Sequence, residues 1–526
     1  MKLFDLPNLP ASLHDLLDDR AQSLGGKTFA ITPDEPVTYR ALADHSKQIA
    51  THLSDRVQPG ERVVIMMPVS RLSLGIWFAM SRLGAIDTTI NPAYKGEMLL
   101  RLVQTASPTL CIIDDTMRSQ FDEACRDYID PADVIDPATL TQIDDTDPGS
   151  WTVRAVAPRD IAAILFTSGT TGNSKGVMVS QHQELAFGAA YAEITRLGPD
   201  DTTYNFLPFF HIAGRFTALG TMIAGGCMVL RRSFSVSAFW DDIRAHDATV
   251  VSAVGGLCHM LYGQPPSEND ADNSLRLIYA VPVPWEFKAE FEARFGLQLI
   301  EGYGGTETNL VAYSRLDEPC PRGAIGKPSD HFEIQLQDQS GRAVPPGSAG
   351  EICIRPRYPS TMLTGYFGLP DKTLEVFQDL WFHTGDAGRF DADGYLYFLD
   401  RMRDTIRRRG ENISSYEVER MLNQHPAVAE SAVIATPSEL DEDEVKAVIV
   451  LKFGQTASEE QLFLYATKVL PYFMVPRFIE FRSELPRTPT LKVTKHTLVA
   501  DGNGPATWDC EKNGYRISSR GFRQKS

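Results

Sequence analysis

Residues 38–53, TYRALADHSKQIATHL, space their apolar positions three and four apart behind a threonine, which predicts a capped helix. ERVVIMM then reads as a buried strand, LSLGIWFAMSRLGA as a helix and TLCIID as another strand. Alternation of this kind predicts a parallel sheet covered by helices. The pattern resumes at IAAILFTSGT, CMVLRR, TVVSAV, LRLIYAV and LQLIEGYG. After about residue 322 the texture changes to short strands with Gly/Pro turns (GAIGKP, FEIQLQD, VPPGSAGEICIR, GYLYFLDR), which predicts a small β-subdomain over about 323–402. Helix and strand patterns return in SSYEVERMLNQHP, AVAESAVIA, VKAVIVLK, SEEQLFLYATKVL and FIEF, a segment the size of an independent α/β unit. The stretch 501–526 is polar, with Lys512, Arg516, Arg520, Arg523 and Lys525, and reads as a frayed, solvated tail, with a docking segment as the alternative.

A length of 526 residues exceeds what one core organises, so at least two domains are expected. The net charge of −17 argues against nucleic acid as a partner, while leaving room for a locally positive pocket that takes a small anion. Seven scattered cysteines (Cys111, Cys125, Cys227, Cys258, Cys320, Cys353 and Cys510) contain no C-x-x-C spacing, which points to a reducing compartment rather than a disulfide framework. No apolar run spans a bilayer and the first residues lack a signal-peptide core, so a cytoplasmic location is expected. The sequence does not fix the oligomeric state, a homodimer included.

The stretch 165–180, LFTSGTTGNSKGVMVS, concentrates Gly169, Gly172 and Gly176, the hydroxyls of Thr167, Ser168, Thr170, Thr171 and Ser174, and Lys175. Glycines permit close backbone approach, successive amides form an anion nest and the lysine adds a full charge, so the natural guest is a polyphosphate. It is not a Walker A loop, which needs glycine immediately before the lysine.

That stretch resembles the phosphate loop of adenylate-forming enzymes: acyl-CoA synthetases, adenylation domains and firefly-type luciferases. Four further motifs follow in the family's order: EGYGGTET (301–308), FHTGDAG (382–388), DRMRDTIRRRGENISSYEVE (400–419) and LPRTPTLKVTK (485–495). The resemblance covers the chain to about residue 500. It is closest in texture to the carnitine/crotonobetaine–CoA ligase subgroup. It implies an α/β fold with a large N-terminal domain (1–402) of two helix-covered sheets plus the β-subdomain, and a small mobile α/β C-terminal domain (403–500). It also implies an ATP-dependent acyl-CoA ligase for a small or medium carboxylic acid, with ATP, Mg²⁺ and coenzyme A as its reactants and cofactor.

Roles follow residue by residue from the same resemblance. Thr167, Ser168, Gly169, Thr170, Thr171, Gly172 and Lys175 would hold the β- and γ-phosphates. Thr306 would bind the α-phosphate and Glu307 would coordinate magnesium. Tyr303 would stack on adenine, and Asp386 with Arg401 would hold the ribose. His211, in FLPFFHIAGRF, would orient the acyl carboxylate. Lys492 would reach the carboxylate and α-phosphate from the small domain, with Lys495 as its competitor in the motif. Arg403 would be the hinge, and Gly410 would leave room for the pantetheine arm. Arg407, Arg408 and Arg409 would contact phosphates of CoA or form a solvated basic face.

The chain departs from the family pattern at three places. Leu491 replaces glycine before the lysine, Ser415 stands for proline, and Ala280-Val281-Pro282 replaces a Gly-Gly-Ala-Pro segment. Arg215 and His259 are read as surface groups, with the acyl pocket as the other placement. The competing functions are an acyl-AMP ligase loading a carrier protein, a luciferase-like monooxygenase, and a non-catalytic nucleotide-binding relative.

Overall fold

The computed structural model describes residues 8–140, 154–167, 174–401, 406–408, 411–437, 443–488, 492–518 and 521–524. The first predicted helix runs over Tyr39–Leu53, and the Thr38 side chain accepts from the Ala41 amide as its cap. The next, Arg71–Leu83, starts in a capping box made by Ser70 and Ser73 and stops at Gly84, whose φ of 65° takes the left-handed conformation that ends helices.

Two large sheets organise the N-terminal part. One has seven strands in the order Gly365–Tyr366, Lys175–Ser180, Ile161–Thr167, Ile86–Thr89, Arg62–Met66, Leu110–Ile113 and Val134–Ile135. The other has nine, from Lys327–Pro328 through Asn309–Tyr313, Gln298–Gly305, Leu277–Val281, Val250–Val254, Thr202–Asn205, Cys227–Leu230 and Thr28–Ile31 to Pro36–Thr38. Their central strands are parallel, as the alternating pattern predicted; antiparallel partners close three of the four edges, and Val134–Ile135 closes the fourth in parallel.

Helices Gln181–Thr195 and Ile212–Ala224 lie between these sheets. One core draws Ala163, Leu165 and Val177 from the first sheet, Tyr279, Ile300 and Val311 from the second, and Phe187, Tyr191 and Phe216 from the helices. A helix covered on all sides has no polar face, and each large apolar side chain sunk here contributes about 1.5–3 kcal/mol. The two helices cross where a Cβ on Gly188 would stand 2.6 Å from the Leu219 side chain, and one on Gly220 2.9 Å from the Gly188 carbonyl. Only glycine allows that approach.

Three charges are sealed beside this crossing. Arg215 donates to Glu184 Oε1 at 2.9 Å and to Asp87 Oδ1 at 2.8 Å, and its Nε donates to the Phe209 carbonyl at 2.7 Å. The Arg215 side chain is 1% exposed, so the expectation of a surface group is overturned. Two buried acids repay the desolvation of its guanidinium.

The β-subdomain is an antiparallel sheet of Phe332–Gln337, Ala349–Pro356, Trp381–Phe390, Phe377–Gln378 and Leu396–Arg401. Two pieces expected within it, Lys327–Pro328 and Gly365–Tyr366, instead complete the edges of the two large sheets. Its hairpin between Gln378 and Trp381 turns on Asp379 and Leu380, at φ 48° and 67°. Leu380 is 81% exposed, so packing does not offset its left-handed strain. Leu380→Gly is therefore expected to raise stability by about 1 kcal/mol in urea denaturation, net of glycine's backbone entropy.

The C-terminal unit is a four-stranded sheet of Val428–Pro437, Asp443–Leu451, Phe478–Phe481 and Trp508–Asp509, with helices Ser415–Leu422, Glu459–Val469 and Lys495–Asp501. Its last strand corrects the reading of 501–526 as a frayed tail. Trp508 and Tyr515 pack on Phe463, with ring centroids 5.4 and 5.0 Å away, and Cys510 is buried in the same core. Three apolar residues spaced among charges suffice to hold the segment down. Arg408 is also buried: it pairs with Glu444 at 2.6 Å and donates to the Val475 carbonyl at 2.8 Å. It therefore does not face a phosphate. Arg409 and the hinge residue Arg403 lie outside the described residues, and the described part of Arg407 is its backbone. Among the described residues, no helix is long and apolar enough to cross a membrane.

Candidate active site

Two antiparallel strands flank the glycine-rich stretch. Strand Ile161–Thr167 enters and Lys175–Ser180 leaves, with Thr167 paired to Lys175. Ser168, Gly169, Thr170, Thr171 and Gly172 lie outside the described residues. The Lys175 ammonium stands 4.5 Å from the centre of the Tyr366 ring.

Across from the hairpin, strand Gln298–Gly305 runs out of the nine-stranded sheet into a tight turn. The Gly305 amide donates to Thr308 Oγ1 at 3.0 Å, and the Thr308 amide returns to the Gly305 carbonyl at 3.0 Å. Thr306 and Glu307 ride on this turn. The Thr306 carbonyl accepts from the buried Gln183 amide at 2.8 Å, and the Glu307 carbonyl from the Leu363 amide at 2.8 Å. Glu307 Oε1 accepts from the Tyr366 hydroxyl at 3.4 Å.

Asp386 projects from strand Trp381–Phe390, in register with Arg401. The Tyr303 hydroxyl donates to Asp386 Oδ2 at 2.6 Å, so the adenine and ribose motifs touch across 83 positions of sequence. The turn before Asp386 is braced by Glu351, which accepts from the Gly385 amide at 2.9 Å and pairs with His383 at 2.7 Å. Arg401 is placed by its backbone alone, and Gly410 lies outside the described residues.

His211 caps helix Ile212–Ala224, its Nδ1 accepting from the Ala213 amide at 3.2 Å. The neutral ring therefore carries its proton on Nε2. Burial, and secondarily the Lys492 charge, hold its pKa down at about 3, so the ring is neutral at physiological pH. In the C-terminal unit the Thr488 amide donates to the Lys492 carbonyl at 2.7 Å, and the Lys492 amide to Thr488 Oγ1 at 3.1 Å, while the Lys492 side chain is exposed. Lys495 is occupied within its own unit, 2.8 Å from Glu419 and 2.6 Å from the Ser415 hydroxyl.

His259 is largely enclosed, contrary to the surface reading. Its ring meets Phe287 edge-on at 4.8 Å, and burial, followed by Arg487 and Lys452, lowers its pKa to about 4. Sequence inspection missed Gln183, Glu351 and Tyr366. Each is remote in sequence from the residue it touches, and none sits in a chemically suggestive motif.

The donor set suits magnesium nucleotide. Glu307 offers a hard carboxylate oxygen, and a small hard cation of this kind is ordinarily held by one or two carboxylates plus phosphate oxygens. Lys175 supplies positive charge beside Tyr366 and Glu307.

A family model described as AMP-binding enzyme matches residues 17–367, and one described as AMP-binding enzyme C-terminal domain matches residues 417–492. A crotonobetaine/carnitine–CoA ligase of Salmonella typhimurium is 31% identical over 510 residues, covering 93% of this chain and 98% of the relative. Among solved structures, ATP-bound MatB from Rhodopseudomonas palustris superposes with a TM-score of 0.85 at 29% identity, over 93% of this chain and 98% of that one. O-succinylbenzoate coenzyme A synthetase (MenE) from Bacillus subtilis, in complex with AMP, gives 0.80 at 26% identity, over 92% and 97%.

Proposed function

The chain belongs to the AMP-binding enzyme family, and from that premise we propose how its residues carry out AMP-forming acid–CoA ligation. In the first step a carboxylate oxygen of the acid attacks the α-phosphorus of ATP. The bond to the bridging oxygen breaks, giving acyl-adenylate and pyrophosphate. In the second step the thiol sulfur of coenzyme A attacks the acyl carbon, expelling AMP and releasing the thiol proton.

The first step brings an anion onto an anionic triphosphate, so catalysis is chiefly positioning and charge neutralisation. Lys175, with Thr167 and the loop of Ser168, Gly169, Thr170, Thr171 and Gly172, holds the β- and γ-phosphates. Thr306 donates to the α-phosphate. Tyr303 stacks on adenine, and Asp386, aided by Arg401, accepts from the ribose hydroxyls. His211 presents its Nε2 proton to the acid's carboxylate, and Lys492 bridges that carboxylate and the α-phosphate. Glu307 would hold magnesium, which when bound neutralises charge on the phosphate oxygens. The chain divides near residue 402, with Arg403 as the pivot and Gly410 admitting the pantetheine arm in the second step.

The observation that supports this reading is the meeting of motifs far apart in sequence: Tyr303 donates to Asp386 at 2.6 Å, and Tyr366 lies between Lys175 and Glu307. A panel of small and medium carboxylic acids, assayed for AMP release with magnesium and CoA, tests it. Some acid should support pyrophosphate exchange without CoA and yield thioester only when CoA is added. A panel in which no acid releases AMP would sink the ligase reading. Exchange with no thioester would redirect it to a carrier-protein acceptor.

A further inference from the structure

We propose that Tyr366 is a positioning residue for adenylation, setting Lys175 and Glu307 against the triphosphate with one side chain. The proposal rests on the reading of those two residues given above.

Tyr366 enters the site from the far side of the molecule's sequence. The strand Gly365–Tyr366 zips onto Lys175–Ser180, with Gly365 opposite Met178 and Tyr366 opposite Val177. The Phe367 amide donates to the Gly176 carbonyl at 2.8 Å, and the Thr364 amide to the Met178 carbonyl at 3.0 Å. The Tyr366 amide is taken by Thr373 Oγ1 at 2.9 Å. The ring, 5% exposed, is wedged into the core shared by both large sheets. Its backbone and ring are thus fixed independently of any nucleotide.

Its two faces of chemistry go to different partners. The π face lies under the Lys175 ammonium at 4.5 Å, and a cation so placed keeps its N–H donors for another acceptor. The hydroxyl donates to Glu307 Oε1 at 3.4 Å. That contact fixes the orientation of the Glu307 carboxylate. The same strap holds the Glu307 backbone through the Leu363 amide. Tyr366 thereby ties the phosphate hairpin of one sheet to the metal-side turn of the other. It also occupies, with a neutral ring, ground across which lysine and glutamate would otherwise attract one another.

Two substitutions separate these contributions. Tyr366→Phe keeps the ring under Lys175 and removes only the donor to Glu307. The magnesium concentration for half-maximal acid-dependent pyrophosphate exchange is expected to rise about fivefold, the scale of one ordinary hydrogen bond, as suits a contact of 3.4 Å. Its KM for ATP at saturating magnesium should shift by less than about twofold, since the cation–π contact survives. Tyr366→Leu removes both contacts and should raise the ATP KM as well. Thioester formation from supplied acyl-adenylate, which needs neither triphosphate nor metal, should change far less in both variants. A magnesium titration of Tyr366→Phe that overlays the wild type overturns the proposal. So does an equal fall in both half-reactions with a lowered melting temperature, because that is the behaviour of a packing residue. Absence of acid-dependent exchange in the wild-type protein is a different failure, and it strikes the ligase reading itself.

Discussion

Lys492→Ala is expected to lower acyl-adenylate formation by at least about a hundredfold, the scale of removing one preorganised charge or donor from a transition state. Thioester formation from supplied acyl-adenylate should fall by only a few fold. The split follows from where negative charge accumulates. Adenylation presses a carboxylate against the α-phosphate, and the ammonium proposed to span them would relieve that repulsion. Lys495, three positions on, is held by Glu419 and Ser415. In the second step the nucleophile is a thiol and the leaving group a phosphate monoester, so a withdrawn Lys492 is no loss. Rapid-quench measurement of each half-reaction distinguishes the cases, and equal losses would remove Lys492 from its assigned role. Lys495→Ala is the matched comparison: breaking an ion pair internal to the C-terminal unit should register in thermal stability.

Much of this architecture is legible in the sequence because it is written locally. Thr38 caps the helix it precedes, and Ser70 opens the next. The apolar run IAAILF marks in advance the strand that leads into the glycine-rich stretch. Helix Gln181–Thr195 is harder, since burial on every side leaves it without a polar face to give the period. What the sequence hides is partnership. Arg215 and Arg408 look like solvated cations until Asp87, Glu184 and Glu444 are found beside them, the first across 128 positions. Gln183 reaches the Thr306 carbonyl across 123 positions, and Tyr366 reaches Glu307 across 59. No periodicity reports such contacts. The tail misleads for the opposite reason: its charges dominate the composition, while Trp508, Cys510 and Tyr515 decide where it packs.

The buried triad makes the second large effect one of stability. Arg215→Ala is expected to destabilise the fold by about 3–5 kcal/mol, the range found when one member of a buried ion cluster is removed. The deletion leaves Asp87 and Glu184 facing each other without their cation, and frees the Phe209 carbonyl two residues before His211. Burial already pushes the Glu184 carboxyl above the ordinary glutamate range, with Asp87 adding to the rise and Arg215 opposing it. Removing Arg215 raises it further. An acid whose folded pKa lies above its unfolded one contributes stability that is full below the unfolded value and is lost as pH climbs through the folded value. The deficit of Arg215→Ala should therefore be smallest near pH 5 and grow toward pH 8, read as urea midpoints at the two pH values. Neutralising all three partners together, as Asp87→Asn, Glu184→Gln and Arg215→Met, should recover most of the loss, because the acids then no longer require a counter-ion. A deficit that is flat with pH, or a triple variant no better than the single, would mean that packing of the arginine stem, rather than charge, holds the two helices and the His211 loop together.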